Sequence, residues 1–156
     1  MKKFAYILAV IVLPFLFASC LSGDEDIEYS TECEITSVSF EHRWAVESEK
    51  VPGIWTLYFK DLDVTKKIDK ETGVVTLDIM VPNADKSFPE SERDKVSLSS
   101  LACSFFVSNA ASVRPLDGAP ALGTLADFSG KTFKYRVQSA AGAYKDWEIR
   151  INSFTR

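Results

Sequence analysis

Apolar and polar residues alternate along most of the chain beyond Cys33, and this alternation constrains the fold more than any other feature. It is clear in residues 37–44, 53–60, 75–81, 133–137 and 147–151. A period of two puts alternate side chains on opposite faces of a β-strand. No long segment shows the 3.6-residue period of an amphipathic helix, so nothing is available to cover a parallel sheet.

Turn signals separate these segments, as in Lys70-Glu71-Thr72-Gly73 and Ala140-Ala141-Gly142. Short strands joined by such turns predict an all-β fold, an antiparallel β-sandwich of about seven strands, over residues 33–156. Residues 95–107 fit either one bent strand or two. Residues 85–94 fit either a short helical turn or a charged loop.

The first nineteen residues have the pattern of a secretory signal peptide. Lys2 and Lys3 precede an uncharged apolar run over residues 4–18, which ends in small residues before Cys20. A helix of fifteen residues would reach only about 22 Å, less than the roughly 30 Å hydrocarbon core of a bilayer. A cleaved signal therefore fits better than a permanent membrane span.

The residues around Cys20 indicate which kind of signal this is. Phe17-Ala18-Ser19-Cys20 resembles the lipobox of bacterial lipoproteins, although Phe17 replaces the usual leucine. The resemblance implies that Cys20 becomes the lipid-carrying N-terminus, the alternative being an ordinary signal cut near Ala18. Residues 20–32 are predicted to be a short acidic tether. Their acidity resembles the export signal of Bacteroidetes surface lipoproteins. The alternative is that these acids are simply those of a solvated linker.

The charge balance excludes some classes of partner. The chain has 22 acidic and 18 basic residues and a net charge of −4, which disfavours a nucleic-acid binder. Removal of residues 1–19 takes away two lysines and no acid, so the mature chain carries −6. A negative body at a membrane is held by its lipid and not by electrostatic attraction.

Little in the sequence indicates catalysis, a metal or another cofactor. His42, the sole histidine, alternates with apolar residues and is predicted to be a strand residue at the edge of the core and not a catalytic base. Asp61 and Asp63, with Asp69 and Glu71 nearby, are carboxylates of the type that binds calcium. Because lysines are interleaved with them, a solvated, charge-balanced loop is the preferred interpretation. The chain is therefore predicted not to be an enzyme.

Two cysteines remain once Cys20 is assigned to the lipid. Cys33 and Cys103 form an even pair in an oxidising compartment, which permits a disulfide. Cys103 also lies in an apolar segment where a buried free thiol packs well. The sequence leaves both alternatives open.

The aromatic residues give the only positive indication of binding, because the C–H face of a sugar ring stacks on aromatic rings. Trp55 and Trp147 lie in phase with apolar neighbours and are predicted to be in the core. Tyr58 and Tyr144 are out of phase with the core faces and are the better surface candidates. Trp44 is a third candidate contact for a glycan or a protein partner, with a position in the core as the preferred interpretation.

Several segments together resemble the bacterial Ig-like domains of Bacteroidetes surface lipoproteins, over about residues 35–152. The similar segments are ITSVSF (35–40), GVVTLDIMVP (73–82), SNAASVRPLDG (108–118), DFS (127–129) and the closing hairpin (135–151). Asn109-Ala110 departs from the family's glycine-alanine pair, and residues 41–71 are longer than the simplest members require. The resemblance implies an Ig-like sandwich anchored in the outer membrane and facing the cell surface, and it implies glycan handling only loosely.

These observations predict a lipid-anchored module of the cell envelope that catalyses no reaction. It either binds a glycan in a carbohydrate-uptake system or an envelope protein, or it acts as a spacer. The alternative is a structural or assembly subunit of a surface fibre or pilus, in which an edge strand pairs with a neighbouring subunit.

Overall fold

The computed structural model describes residues 28–156, and these residues form two β-sheets packed face to face. The predicted signal peptide, Cys20 and most of the predicted tether lie outside the described residues. The strands are β1 (Ile35–Glu47), β2 (Trp55–Asp61), β3 (Asp63–Asp69), β4 (Val74–Met80), β5 (Leu101–Val107), β6 (Ser112–Leu116), β7 (Leu125–Ala126), β8 (Thr132–Gln138) and β9 (Tyr144–Thr155). One short helix, α1, covers Glu90–Arg93. The predicted all-β sandwich is confirmed.

The strand order is β2-β1-β5-β7 in a four-stranded sheet and β3-β4-β9-β8-β6 in a five-stranded sheet. The described residues form nine strands and not about seven. Every pair is antiparallel except β4 and β9, which run parallel. That the sandwich is of the Ig-like class stays a prediction.

β3 occupies a segment that the sequence analysis interpreted as a charge-balanced loop, and this interpretation was wrong. The strand pairs with β4 from Asp63↔Met80 to Asp69↔Val74. Only Val64 and Ile68 pack against the core, since β3 lies at the edge of the sheet and its other side chains face solvent. A strand with so few buried residues carries almost no alternation in its sequence.

The core lies between the inner faces of the two sheets. Trp147 is 1% exposed and heads the fully buried side chains, followed by Tyr135, Phe40, Phe88 and Phe128. The predicted core position of Trp147 is confirmed. The Tyr135 hydroxyl donates a hydrogen bond to the Pro120 carbonyl oxygen at 2.8 Å. This bond satisfies the polar end of a buried ring.

Trp55 was predicted to be in the core, and this prediction was wrong. The register of the β1–β2 hairpin sets Trp55 opposite Glu47 and Phe59 opposite Arg43. Directly opposed residues share a face, and the face of Glu47 and Arg43 is the one turned away from the other sheet. Trp55 is therefore 60% exposed.

The segment between β4 and β5 contains the helical turn that the sequence allowed. Asp85 accepts hydrogen bonds from the backbone N–H groups of Ser87 and Phe88. This turn places the Phe88 ring in the core ahead of α1. Residues 95–100 form no strand, so β5 is a single strand that begins at Leu101. No helix within residues 28–156 is long and apolar enough to cross a membrane.

Truncation of the two tryptophans should have very different effects on folding. Trp147→Ala removes a fully buried indole and should lower the free energy of unfolding by about 3–5 kcal/mol. Trp55→Ala removes an exposed indole and should change it by only about 0.5 kcal/mol. Urea denaturation followed by circular dichroism in dilute solution measures both. Equal losses for the two variants would contradict the register of β2.

Candidate functional site

A groove of about 830 Å³ opens where the chain enters β1. Four parts of the chain form it: the segment that leads into β1, the turn between β3 and β4, the loop after β5 and the β8–β9 hairpin. The side chains that give it its chemistry are those of Glu34, Asn109, Tyr144 and Lys145. These are polar or aromatic groups, of the type that fixes the orientation of a ligand.

Glu34 and Lys145 form an ion pair in this groove. The Lys145 Nζ lies 3.4 Å from the Glu34 Oε1 and also donates a hydrogen bond to the Lys70 carbonyl oxygen. The same ammonium lies 4.7 Å from the centroid of the Trp147 ring. Lys145 is thus held between a carboxylate, a carbonyl oxygen and an aromatic face.

The second carboxylate oxygen of Glu34, Oε2, is buried and has no hydrogen-bond partner among the described residues. An acceptor withdrawn from water without a donor costs free energy.

Tyr144 lies at the rim of the groove and is 60% exposed. The guanidinium carbon of Arg136 lies 4.1 Å from the centroid of its ring. Arg136 is itself fixed by two hydrogen bonds to Asp146, of 2.6 and 2.7 Å. These bonds hold the pKa of the Asp146 carboxyl below its ordinary value. The tyrosine ring therefore rests on a fixed cation and leaves most of its surface open to solvent.

Tyr58 and Trp44 lie far from this groove. Their rings stack with centroids 5.6 Å apart, and Trp44 stacks in turn with His42 at 5.6 Å. Trp44 follows Ile35 by nine residues along β1, or about 30 Å. The structure therefore separates Tyr144 from the other two predicted contacts. Tyr58 was predicted to be out of phase with the core faces, and this prediction was wrong, because the hairpin register puts it on the inner side of its sheet with Trp44. It remains exposed because it lies beyond the core.

His42 is buried between Trp44 and Phe88, as expected for a strand residue at the edge of the core. Its Nε2 lies 3.8 Å from the Glu92 Oε2, and neither ring nitrogen has a hydrogen-bond partner among the described residues. Burial lowers the pKa of His42 below its ordinary value, although the Glu92 carboxylate opposes the shift. The imidazole is therefore held mainly neutral.

Cys33 and Cys103 are free thiols. The Cys33 Sγ donates to the Ala143 carbonyl oxygen at 3.1 Å, whereas Cys103 lies opposite Phe40 in the β1–β5 pair. Phe40 is seven residues along the strand from Cys33, or about 23 Å, and a disulfide needs Cα atoms less than about 7 Å apart. Burial raises the pKa of the Cys103 thiol.

Glu34 and Lys145 were not singled out from the sequence. They lie 111 positions apart, so their contact depends on how the two sheets meet. The only local indication that Lys145 faces the groove and not open solvent is that it lies on the same face of β9 as Trp147. Within residues 28–156, no group of three or more His, Cys, Asp or Glu side chains is placed to hold a metal ion.

Comparison with known proteins places this architecture in a family. The model of the family described as DUF5018-related matches residues 35–150, which run from the first residue of β1 into β9. The chain belongs to the DUF5018-related family. No curated protein matches it.

A solved structure is similar to this chain in both sequence and fold. A protein of Bacteroides fragilis described as a "putative secreted protein" is 39% identical, with a TM-score of 0.72. The match covers 81% of this chain and 98% of that one. The B. fragilis chain is therefore a folded unit of about the same extent as the domain described above.

Titration of His42 should make the stability of the domain depend on pH. Its pKa in the folded protein lies below the ordinary value of 6.5 that holds after unfolding. The unfolded chain therefore binds more protons between these two pKa values, and the free energy of unfolding should fall as the pH drops below about 6.5.

Urea denaturation of the domain at intervals from pH 7.5 to 5 measures this dependence. The variant His42→Phe keeps a ring against Trp44 and removes the titrating group, so its stability should vary less over the same range. An equal slope for wild type and variant would show that other groups cause the pH dependence.

Proposed function

We propose that this DUF5018-related protein is a lipid-anchored module of the cell envelope that binds a glycan in the groove beside Tyr144 and catalyses no reaction. The exposed Tyr144 ring at the rim of a groove that also carries Glu34 and Lys145 is the observation on which the binding role rests.

Export is supported by the signal pattern of residues 1–19 and by the similarity to the B. fragilis protein, which is described as a "putative secreted protein". Cys20 then carries the lipid, and the protein is held in the outer membrane with its domain facing the cell surface. Two or more acyl chains hold a protein stably at a membrane, whereas one does so only marginally. The net charge of −6 expected after cleavage leaves the anchoring to the lipid.

Glycan binding is supported by the combination of side chains in the groove. The C–H face of a sugar ring stacks on an aromatic ring, and its hydroxyl groups pair with charged and amide side chains. Tyr144 supplies the ring, Glu34 and Lys145 supply an acceptor and a donor, and Asn109 supplies both. A wide, polar groove of this type suits a hydrated ligand better than an apolar one.

A non-catalytic role is supported by the position of the reactive side chains. His42 lies buried at the other end of the sandwich. Cys33, which lines the groove, donates its thiol proton to a carbonyl oxygen of the protein. Neither residue is placed to act on a ligand in the groove.

The alternative role, an assembly subunit of a surface fibre or pilus, is supported by one observation. β2 is an edge strand with three exposed apolar side chains, Trp55, Leu57 and Phe59. A free strand edge of this type can accept a strand from another protein.

Glycan binding by the soluble domain, residues 28–156, tests the proposed ligand class. On an oligosaccharide array the domain should bind a subset of glycans, and Tyr144→Ala should weaken the dissociation constant for them about tenfold or more. Tyr58→Ala is the matched control, because it removes an exposed tyrosine at the other end of the domain. Absence of binding to any glycan, or a loss caused by Tyr58→Ala and not by Tyr144→Ala, would contradict the proposed site.

Fractionation of cells that express the full chain tests the anchor. Wild-type protein should remain with the membranes and incorporate labelled fatty acid, whereas Cys20→Ser should lose the label and enter the soluble fraction. Cys33→Ser serves as the control, since it removes a thiol of the domain and leaves the lipid site. A Cys20→Ser protein that stays with the membranes would overturn the lipid anchor.

A further inference from the structure

Three of the four sheet edges in the described residues carry features that discourage pairing with another chain. β7 is only two residues long, β6 contains Pro115, and four of the seven residues of β3 are charged. Short strands, proline and charge are the usual means by which proteins protect free edges. β2 is the exception, because residues 55–59 read Trp-Thr-Leu-Tyr-Phe.

The charged residues of β2 do not protect this stretch. Lys60 and Asp61 stand at the end of the strand, and the Lys60 Nζ bonds Asp85 at 2.6 Å and lies over the Phe88 ring. Trp55, Leu57 and Phe59 are 60%, 69% and 63% exposed. An unprotected apolar edge of this type is a favoured site for strand pairing.

The hydrogen-bond phase of the β1–β2 hairpin shows which backbone groups are free. The Leu62 N–H bonds the Phe40 carbonyl oxygen at 2.9 Å, and the Ser48 N–H bonds the Ile54 carbonyl oxygen at 2.8 Å. Bonded and non-bonded pairs alternate along an antiparallel ladder. Trp55, Leu57 and Phe59 therefore direct their N–H and C=O groups outward, where no strand of residues 28–156 pairs with them.

We propose that two copies of this chain associate through their β2 edges, antiparallel, across a two-fold axis at Leu57. The pairing joins the two four-stranded sheets into one continuous sheet. About six main-chain hydrogen bonds form, since each of the three bonded pairs exchanges two. Such an interface is closed, because each copy presents the same edge to the other.

The apolar side chains select this register. With the axis at Leu57, Trp55 lies opposite Phe59 of the second copy and Leu57 lies opposite its own counterpart. A shift of one copy by two residues in one direction sets Trp55 opposite Asp61, and a shift in the other sets Phe59 opposite Gly53. Aromatic cross-strand pairs are among the stabilising ones, so the centred register is preferred.

The charged residues around β2 are compatible with the same arrangement. Trp55 has Glu47 beside it on β1, and Phe59 has Arg43. Two rows of side chains on the outer face of the joined sheet therefore share one order. Each runs from Glu47 and Trp55 of one copy to Phe59 and Arg43 of the other. Lys60 and Asp61 fall opposite the uncharged Ile54 and Gly53. In this register no two like charges lie directly opposite each other across the β2–β2 pair.

Sedimentation velocity of residues 28–156 over a range of concentrations tests the pairing. The wild-type domain should show a monomer–dimer equilibrium. Leu57→Asp sets two like charges opposite each other at the axis and should weaken the dimer about tenfold or more. Leu125→Asp is the matched control, since it puts the same charge on an exposed leucine of β7 and should leave the dimer unchanged.

Cysteine crosslinking tests the register. Leu57→Cys should give a disulfide-linked dimer on mild oxidation, because paired Cα atoms lie about 5.5 Å apart. Phe59→Cys should not, because its counterpart lies about four residues, or roughly 13 Å, along the strand. The native thiols of Cys33 and Cys103 are buried and contribute no background.

A domain that stays monomeric at all concentrations would overturn the proposal, as would a dimer unaffected by Leu57→Asp. Growth into long polymers would also overturn the closed pair, and it would support the alternative role as a fibre subunit. Glycan binding at Tyr144 involves the opposite end of the domain, so its success or failure does not alter the sedimentation result.

Discussion

The hydrogen bond from the Trp147 indole to the Cys33 carbonyl oxygen is the contact on which the rest of the arrangement depends. It is 2.9 Å long and buried, and it joins β9 in one sheet to the residue that leads into β1 in the other. An indole N–H left unpaired in the core would cost free energy, so the chain must enter β1 at this point. Two consequences follow directly. Glu34, the next residue, comes within reach of Lys145, and the Cys33 thiol comes within reach of the Ala143 carbonyl oxygen.

A sequence with a period of two shows which residues share a face of a strand, but it does not show which face is turned inward. For Trp147 the inference was correct, because β9 lies in the middle of its sheet and has a packed sheet on its apolar side. For Trp55 it was wrong, although the local pattern is as regular. β2 is an edge strand, and the hairpin register with β1 sets its apolar side outward. That difference depends on neighbours in space and leaves no local mark in the sequence.

The same limit applies to the candidate groove. Tyr144 could be found from the sequence, because it is out of phase with Trp147 and so falls on the solvent face of β9. Glu34 could not, since its partner Lys145 is 111 positions away and is brought close only by the packing of the two sheets. The stacking of Trp44 on Tyr58 could be predicted only in part, for the same reason. Both residues were recognised as aromatic strand residues, but their stacking depends on the hairpin register.

The position of the β2 edge constrains how the proposed pair would be held at a membrane by the proposed lipid on Cys20. Leu57 lies opposite Ala45, ten residues or about 33 Å along β1 from Ile35. An antiparallel pairing reverses the second copy, so the two points of chain entry lie roughly 65 Å apart. The thirteen residues from Cys20 to Cys33 span at most about 45 Å when fully extended. The proposed lipid anchors of two copies in one membrane are therefore compatible with the proposed pair when its strands run along the membrane surface. An upright pair would raise one entry point beyond the reach of its tether.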